Sequence, residues 1–284
     1  MTVLMRALNL SNDFITWTST SPDYEGTYAP ESIQSDTAVI VADTGGDSCG
    51  LIQKLGLEHS PVGLWLFDGN LNDSSGNGFN LSGTTSYVTN LNGPTIPQSA
   101  VYGGTIWERP SRDATLAITG AITIEAYGVF SPIGTQHIVS LGSPDSPDDE
   151  PHNIAYSLAI TTNTIAVLWE TGAGTNITCT SDVYTIPNGV PCHIVFTRSA
   201  SNPATAKFYV NSINCGIKSG TAATGCTDPN CRLRIGANHI GASTLIFGTK
   251  LFSIKIIAAE LTQEEVTAEY NKTLGGKGVL YQTL

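Results

Sequence analysis

The stretch Gly63-Leu-Trp-Leu-Phe-Asp-Gly-Asn-Leu-Asn-Asp-Ser-Ser-Gly-Asn-Gly78 decides how the rest of the chain is read. Gly63 to Phe67 is a short apolar run that favours a strand, with Trp65 and Phe67 directed to a core and Leu66 to the other side. Asp68 to Gly78 is built from Asp, Asn, Ser and Gly around a single Leu, the composition of a turn, and Phe79 to Leu81 resumes the apolar pattern. Strand, turn, strand is the unit repeated through the remainder.

Downstream, short runs with alternating or continuous apolar character recur between turns at the ~8–12-residue spacing of a sandwich or barrel. The expected strands are Ala114 to Thr119, Ile122 to Phe130, Gln136 to Leu141, Ile154 to Ile160, Thr164 to Trp169, His193 to Arg198, Lys207 to Asn211, Arg232 to Ile235 and Thr249 to Ala258. In the last of these, Leu251, Ser253, Lys255 and Ile257 are expected to oppose Phe252, Ile254 and Ile256. One helix is expected, Thr262 to Leu274: Thr262 and Glu265 form a capping box, acids fill the first turn, and Gly275-Gly276 ends it. Being single and short, it is expected to plug one end of the sandwich. Ser143 to Pro151, with Asp145, Asp148, Asp149 and Glu150, reads as an acidic, solvated loop.

Composition agrees with an all-β chain. Of 284 residues only 13% are charged, against ~25% in a typical domain, while there are 29 Gly, 14 Pro and 35 Thr. Helix bundles and coiled coils need charged helix surfaces and are disfavoured. The net charge is −11 and no Lys/Arg run tracks a phosphate backbone, so nucleic acid is not an expected partner. Apolar stretches fall short of the ~20 residues that cross a bilayer, and Met1 to Asn12 has no h-region or cleavage pattern, so neither a membrane anchor nor a signal peptide is expected.

Residues 1–60 differ from the rest of the chain: eight acids against two bases give them about half of the net charge. Thr18 to Asp36 has little periodicity and reads as extended; Thr37 to Val41 is a short strand candidate. An arm that grips a neighbouring subunit and a lead-in strand to the same domain are both open. Six cysteines stand at 49, 179, 192, 215, 226 and 231. Without an export signal, free buried thiols are expected, with a Cys226–Cys231 loop closure as the alternative. Cys192 and His193, adjacent in a strand, point to opposite faces and cannot act together.

The opening motif, Trp-x-Phe-Asp with Asp73-Ser-Ser-Gly-Asn-Gly78 after it, resembles that of the concanavalin A-like, laminin-G-type jelly rolls. Ile122-Thr-Ile-Glu-Ala126, Val190 to Thr197, Lys207-Phe-Tyr-Val-Asn211, Leu233-Arg-Ile-Gly236 and Ile256 to Tyr270 are similar to that family's later strands and ending, in the same order. The resemblance covers about Val62 to Leu274. It implies a jelly-roll sandwich over 61–275, preceded by an arm (1–60) and succeeded by a tail (276–284). The family includes sugar-binding modules, virion surface proteins and some glycanases. The catalytic branch carries Glu-x-Asp-x-x-Glu on one strand; Glu125 stands alone and Glu170 has no partner at i+2, so no enzyme is expected.

The sequence offers two candidate sites. Asp68, Asn70, Asn72, Asp73 and Asn77 are hard oxygen donors with glycines between them, as Ca²⁺ prefers, and related jelly rolls often hold calcium there; side-chain turns with the local backbone are the other reading. Glycan binding requires an exposed aromatic platform. Trp107 with Glu108 and Arg109, and Trp169 with Glu170, are the candidates, although a loop tryptophan packed on the sandwich end is the preferred reading of Trp107. The resulting expectation is a non-enzymatic virion structural protein, a bacteriophage surface, fibre or decoration component, that associates with other virion proteins or with copies of itself through residues 1–60 and binds cell-surface glycans. A secreted carbohydrate-binding module, located extracellularly, is the alternative, and a retaining glycanase the third.

Overall fold

The computed structural model describes residues 59–89, 98–143, 154–171, 175–226, 228–242, 245 and 248–273, together with four short strands before them. The chain divides into two compact units, Met1–His59 and Ser60–Leu284. In the first, β1 (Ile15–Thr18) pairs antiparallel with β2 (Glu25–Tyr28), and β3 (Val39–Ile40) with β4 (Ile52–Gln53). The β1–β2 hairpin falls partly within the segment expected to be extended. The acidic segment 144–150, Cys49, the helix-ending Gly275-Gly276 and the tail 276–284 lie outside the described residues.

The described residues of the second unit form two antiparallel sheets and one helix. Its strands are β5 (Gly63–Trp65), β6 (Ser86–Thr89), β7 (Gln98–Val101), β8 (Trp107–Arg109), β9 (Ile122–Val129), β10 (Gln136–Gly142), β11 (Ile154–Ile160), β12 (Ile165–Glu170), β13 (Asn176–Thr180), β14 (Pro191–Arg198), β15 (Ala204–Val210), β16 (Ile213–Gly220), β17 (Arg232–Ile235) and β18 (Lys250–Ile257). One sheet runs β13-β12-β11-β10-β17-β8; the other runs β16-β15-β14-β9-β18-β7-β6, with β5 also paired to β18. Trp65, Ile124, Ile194, Phe196 and Phe208 from the second sheet meet Leu158, Val167, Trp169, Leu233 and Ile235 from the first in one buried cluster. Burying apolar side chains between two faces drives such a fold at ~25 cal/mol per Å² removed from water.

The expected strands Phe79 to Leu81 and Ala114 to Thr119 do not form, and alternation is interrupted in β10, where register shifts bring both Ile138 and Val139 into the core, and in β18. Ala114 to Thr119 is a run of turns, because the Asp113 side chain accepts from Thr115 N and its carbonyl from Leu116 N. In β18 the register shifts between Leu251 and Ser253, a bulge that places Phe252 outside the ladder. Leu251, Ile254 and Ile256 therefore share the core, while Phe252 turns outward onto the Tyr127 ring, 4.8 Å away.

Helix α1 (Gln263–Lys272) carries the expected capping box at Thr262. It does not plug the end of the sandwich. Val266 packs on Leu261 and on Val195, Tyr209 and Ile257, whose strands present Ile194, Phe196, Phe208 and Ile256 to the main core, so the helix covers the outer face of the larger sheet. Beneath it lies a buried polar group. Glu125 Oε2 is 3.3 Å from His193 Nε2 and 3.6 Å from Lys255 Nζ, Lys255 also pairs with Glu269, and Tyr270 stacks on His193.

Candidate functional site

β8 is short and lies at the edge of the six-stranded sheet, so its outer backbone needs a partner. Ser82 supplies one: Ser82 N donates to the Glu108 carbonyl at 2.8 Å and Glu108 N to the Ser82 carbonyl at 2.9 Å. Gly83 makes this approach possible, since a Cβ there would fall 2.9 Å from the Ile106 carbonyl oxygen and from Trp107 Cδ1. Strand alternation then sends Trp107 inward and Glu108 outward. On β17, Leu233 and Ile235 go to the core, and Arg232 and Arg234 go to the same outer side as Glu108.

These charges build a cleft. Arg234 stands directly opposite Glu108 in the register, and its Nε donates to Glu108 Oε2 at 3.2 Å while Nη1 reaches the His239 carbonyl. The Arg232 guanidinium lies 3.6 Å from Glu108 Oε1, with about a third of its side chain exposed. Around them, Ser82, Gly83, Gly104, Thr105, Ile106, Ile240 and Gly241 enclose an open cavity of about 670 Å³. Ile240, 48% exposed, is held by a tight turn in which Gly241 N donates to the Asn238 carbonyl and Ala242 N to Asn238 Oδ1. The cleft offers planar donors and acceptors beside an aliphatic wall, and Glu108 is the single carboxylate among its described lining residues.

Neither candidate aromatic platform is exposed. Trp107 is fully buried against Phe67 and Tyr102 at 5.3 and 5.9 Å, its Nε1 donating to the Thr84 carbonyl. Trp169 is also fully buried, stacked on Phe196 at 6.3 Å with Nε1 donating to the Thr221 carbonyl. Its other neighbour is Arg198, wholly inside the core, which donates to the Ile118 and Gly120 carbonyls. Burial pushes the Arg198 guanidinium down to about 10, partly offset by Tyr156. Glu170 is buried and accepts from Ile154 N at 3.0 Å. Arg109 turns away from the cleft, lying over the Phe79 ring and pairing with Asp113. Of the residues around the expected Trp107 site only Glu108 reaches the cleft; Arg232, Arg234 and Ile240 were missed.

The Asp68 to Asn77 loop is closed by its own side chains. Asp73 Oδ1 accepts from Leu64 N and Ser75 N, and Oδ2 from Phe79 N and Ser75 Oγ, at 2.7 to 3.0 Å. A carboxylate has about four lone-pair sites, so all of them are engaged. Burial would raise the Asp73 pKa, but these hydrogen bonds outweigh it and hold it below the ordinary value. Asn70 accepts from Asn72 N and lies 3.5 Å from Asp68, and Asn77 turns its amide nitrogen to the Val62 carbonyl. The donor set, as arranged, does not fit a calcium ion.

Cysteines also depart from expectation. Cys226 and Cys231 are disulfide-bonded across their turn, with Cα atoms 6.4 Å apart, within the range a disulfide spans. Cys179, Cys192 and Cys215 are free and buried, as expected. Cys192 belongs to the main core and His193 to the opposite face under α1.

The sequence matches no family model and no curated protein. Solved structures do resemble it. The binding domain of botulinum neurotoxin serotype D/C superposes with a TM-score of 0.53 at 14% identity, covering 75% of this chain and 52% of that one. The chain is a jelly-roll β-sandwich. Domain 4 of AbnA, a GH43 extracellular arabinanase from Geobacillus stearothermophilus solved in complex with arabinotriose, aligns with this jelly roll at TM-score 0.52 and 18% identity, over 75% of the chain and 98% of the domain. The binding domain of Paraclostridial Mosquitocidal Protein 1 gives 0.53 and 14%, over 74% and 51%. The jelly roll thus spans about half the length of the toxin binding domains and nearly all of the arabinanase domain.

Proposed function

We propose that this jelly roll is a non-catalytic carbohydrate-binding domain that seats a glycan in the cleft between Glu108, Arg232 and Ile240. The carrying observation is the outward grouping of Glu108 with Arg232 and Arg234 beside exposed Ile240 in a cavity of about 670 Å³. Sugars present vicinal hydroxyls that planar carboxylate and guanidinium groups bond in pairs, and aliphatic C–H faces that an isoleucine covers. The likeness to a whole arabinanase domain solved with arabinotriose supports the reading. Among the described residues that line the cleft, Glu108 has no second carboxylate of the kind that pairs in glycosidic hydrolysis. The test is a broad glycan array probed with the full chain and with Glu108→Ala: specific signals lost in the variant are expected, and a blank array overturns the reading.

The acidic first unit favours a second, compatible reading, in which residues 1–60 join copies of this chain or other virion proteins and the jelly roll is displayed on a bacteriophage surface. Half of the net charge lies in a unit separate from the sandwich. Solution mass of the chain with and without residues 1–60 tests it: loss of assembly on truncation is expected, and an unchanged monomer contradicts it.

A further inference from the structure

We infer that the sugar held in this cleft is acidic, bearing a carboxylate that Arg232 receives; the inference rests on the carbohydrate-binding reading above. Among the described residues that line the cleft, one carboxylate stands against two guanidiniums, in a chain whose net charge is −11. The two arginines are not equivalent. Arg234 is 5% exposed and committed, with its Nε on Glu108 Oε2 and its Nη1 on the His239 carbonyl, so it fixes the Glu108 carboxylate. Arg232 meets Glu108 only at 3.6 Å, beyond a hydrogen bond, and its guanidinium takes no other ion pair or hydrogen bond among the described residues.

Glu108 therefore lies closer to Arg234, at 3.2 Å, than to Arg232, at 3.6 Å, and the Arg232 side chain, 34% exposed, keeps a guanidinium open to a ligand. A guanidinium presents its donors as a rigid planar fork that matches a carboxylate in two parallel bonds. A neutral sugar would leave that charge unanswered. Ile106 and Ile240 then cover the apolar face of the same ring.

The experiment is calorimetric titration of the full chain with two matched pairs: a glucuronate-terminated oligosaccharide against its glucose-terminated counterpart, and sialyllactose against lactose. At least one acidic member is expected to bind about tenfold or more tighter than its neutral partner, as a charge-assisted bond implies. That preference should disappear in Arg232→Ala, survive in part in Arg232→Lys, and weaken in high salt. Thermal melts of both variants check that the fold is kept. Equal binding of acidic and neutral members, or an unaltered preference in Arg232→Ala, overturns this inference and leaves the carbohydrate reading standing. No binding to any of the four, with neutral glycans bound on the array, also overturns it alone; silence in both experiments overturns both.

Discussion

Glu108 and Arg234 stand directly opposite one another on β8 and β17, with Glu108 Oε2 3.2 Å from Arg234 Nε, although 126 positions separate them in sequence. The pair joins the edge strand to its neighbour and shapes the cleft at once. Removing the carboxylate takes one hydrogen-bond partner from a nearly buried guanidinium. Glu108→Ala is expected to lose about 1–3 kcal/mol of stability, read as a lower urea midpoint, besides losing glycan binding. An unchanged midpoint would mean that the pair does not hold β8 in place.

Acid should loosen the cover on the larger sheet. Burial would raise the Glu269 pKa, but the charge and hydrogen bond of Lys255, with help from Lys272, outweigh it and hold the carboxyl below its ordinary value. A group depressed in the folded state contributes stability above its unfolded pKa, ~4.3, and loses it as pH falls through the folded value. Facing this cluster are Glu125, His193, Lys255 and Lys272. The wild type should therefore lose more stability between about pH 5 and pH 3 than Glu269→Gln, by urea unfolding. Parallel profiles would remove the coupling.

Chelation should do nothing to the Asp68 to Asn77 loop, because the protons of Leu64, Ser75 and Phe79 already occupy Asp73. The melting temperature is expected to be the same with excess EDTA as with added calcium. Asp73→Ala, which orphans those donors, should cost about 2 kcal/mol or more. A chelator-dependent melting temperature would reinstate an ion.

Native thiol labelling should be slow. Burial, with the nearby Cys215 adding to it, pushes the Cys192 thiol up to about 12. Burial pushes Cys215 up to about 11, against a backbone hydrogen bond that lowers it. The thiolate is the reactive form, so iodoacetamide at about pH 8 should leave both unmodified until denaturant is added, as peptide mass spectrometry would read. Modification at native rates typical of free cysteine would contradict their burial.

Strands that bury one or both faces were legible. β11 and β17 have the expected limits, and β9 differs by a residue, because Ile, Val and Leu at alternating or continuous positions leave no other element. Of the strands missed in the second unit, β6, β7 and β8 have only three or four residues, and β13 and β16 are edge strands with several Thr, Asn, Ser or Gly, so apolar periodicity does not mark them. Trp107 was expected to pack from a loop, and its strand was missed for a related reason: flanked by Glu108 and Arg109 in so short a strand, the alternation that sends it inward has no room to declare itself. The signal for Arg232 and Arg234 was present in Arg-Leu-Arg-Ile, whose period of two puts both arginines outside. What no local pattern could supply is their meeting with Glu108, which depends on a long-range strand pairing.

Whether the cleft holds a sugar is read most directly from an amide chemical-shift map of the full chain titrated with a glycan that scores on the array. Saturable shifts centred on Gly83, Gly104, Glu108, Arg232 and Ile240 are predicted. Shifts centred instead on the 68–78 loop or on the exposed Ile213 and Ile217 of β16 would place binding elsewhere and contradict a sugar in the Glu108–Arg232 cleft.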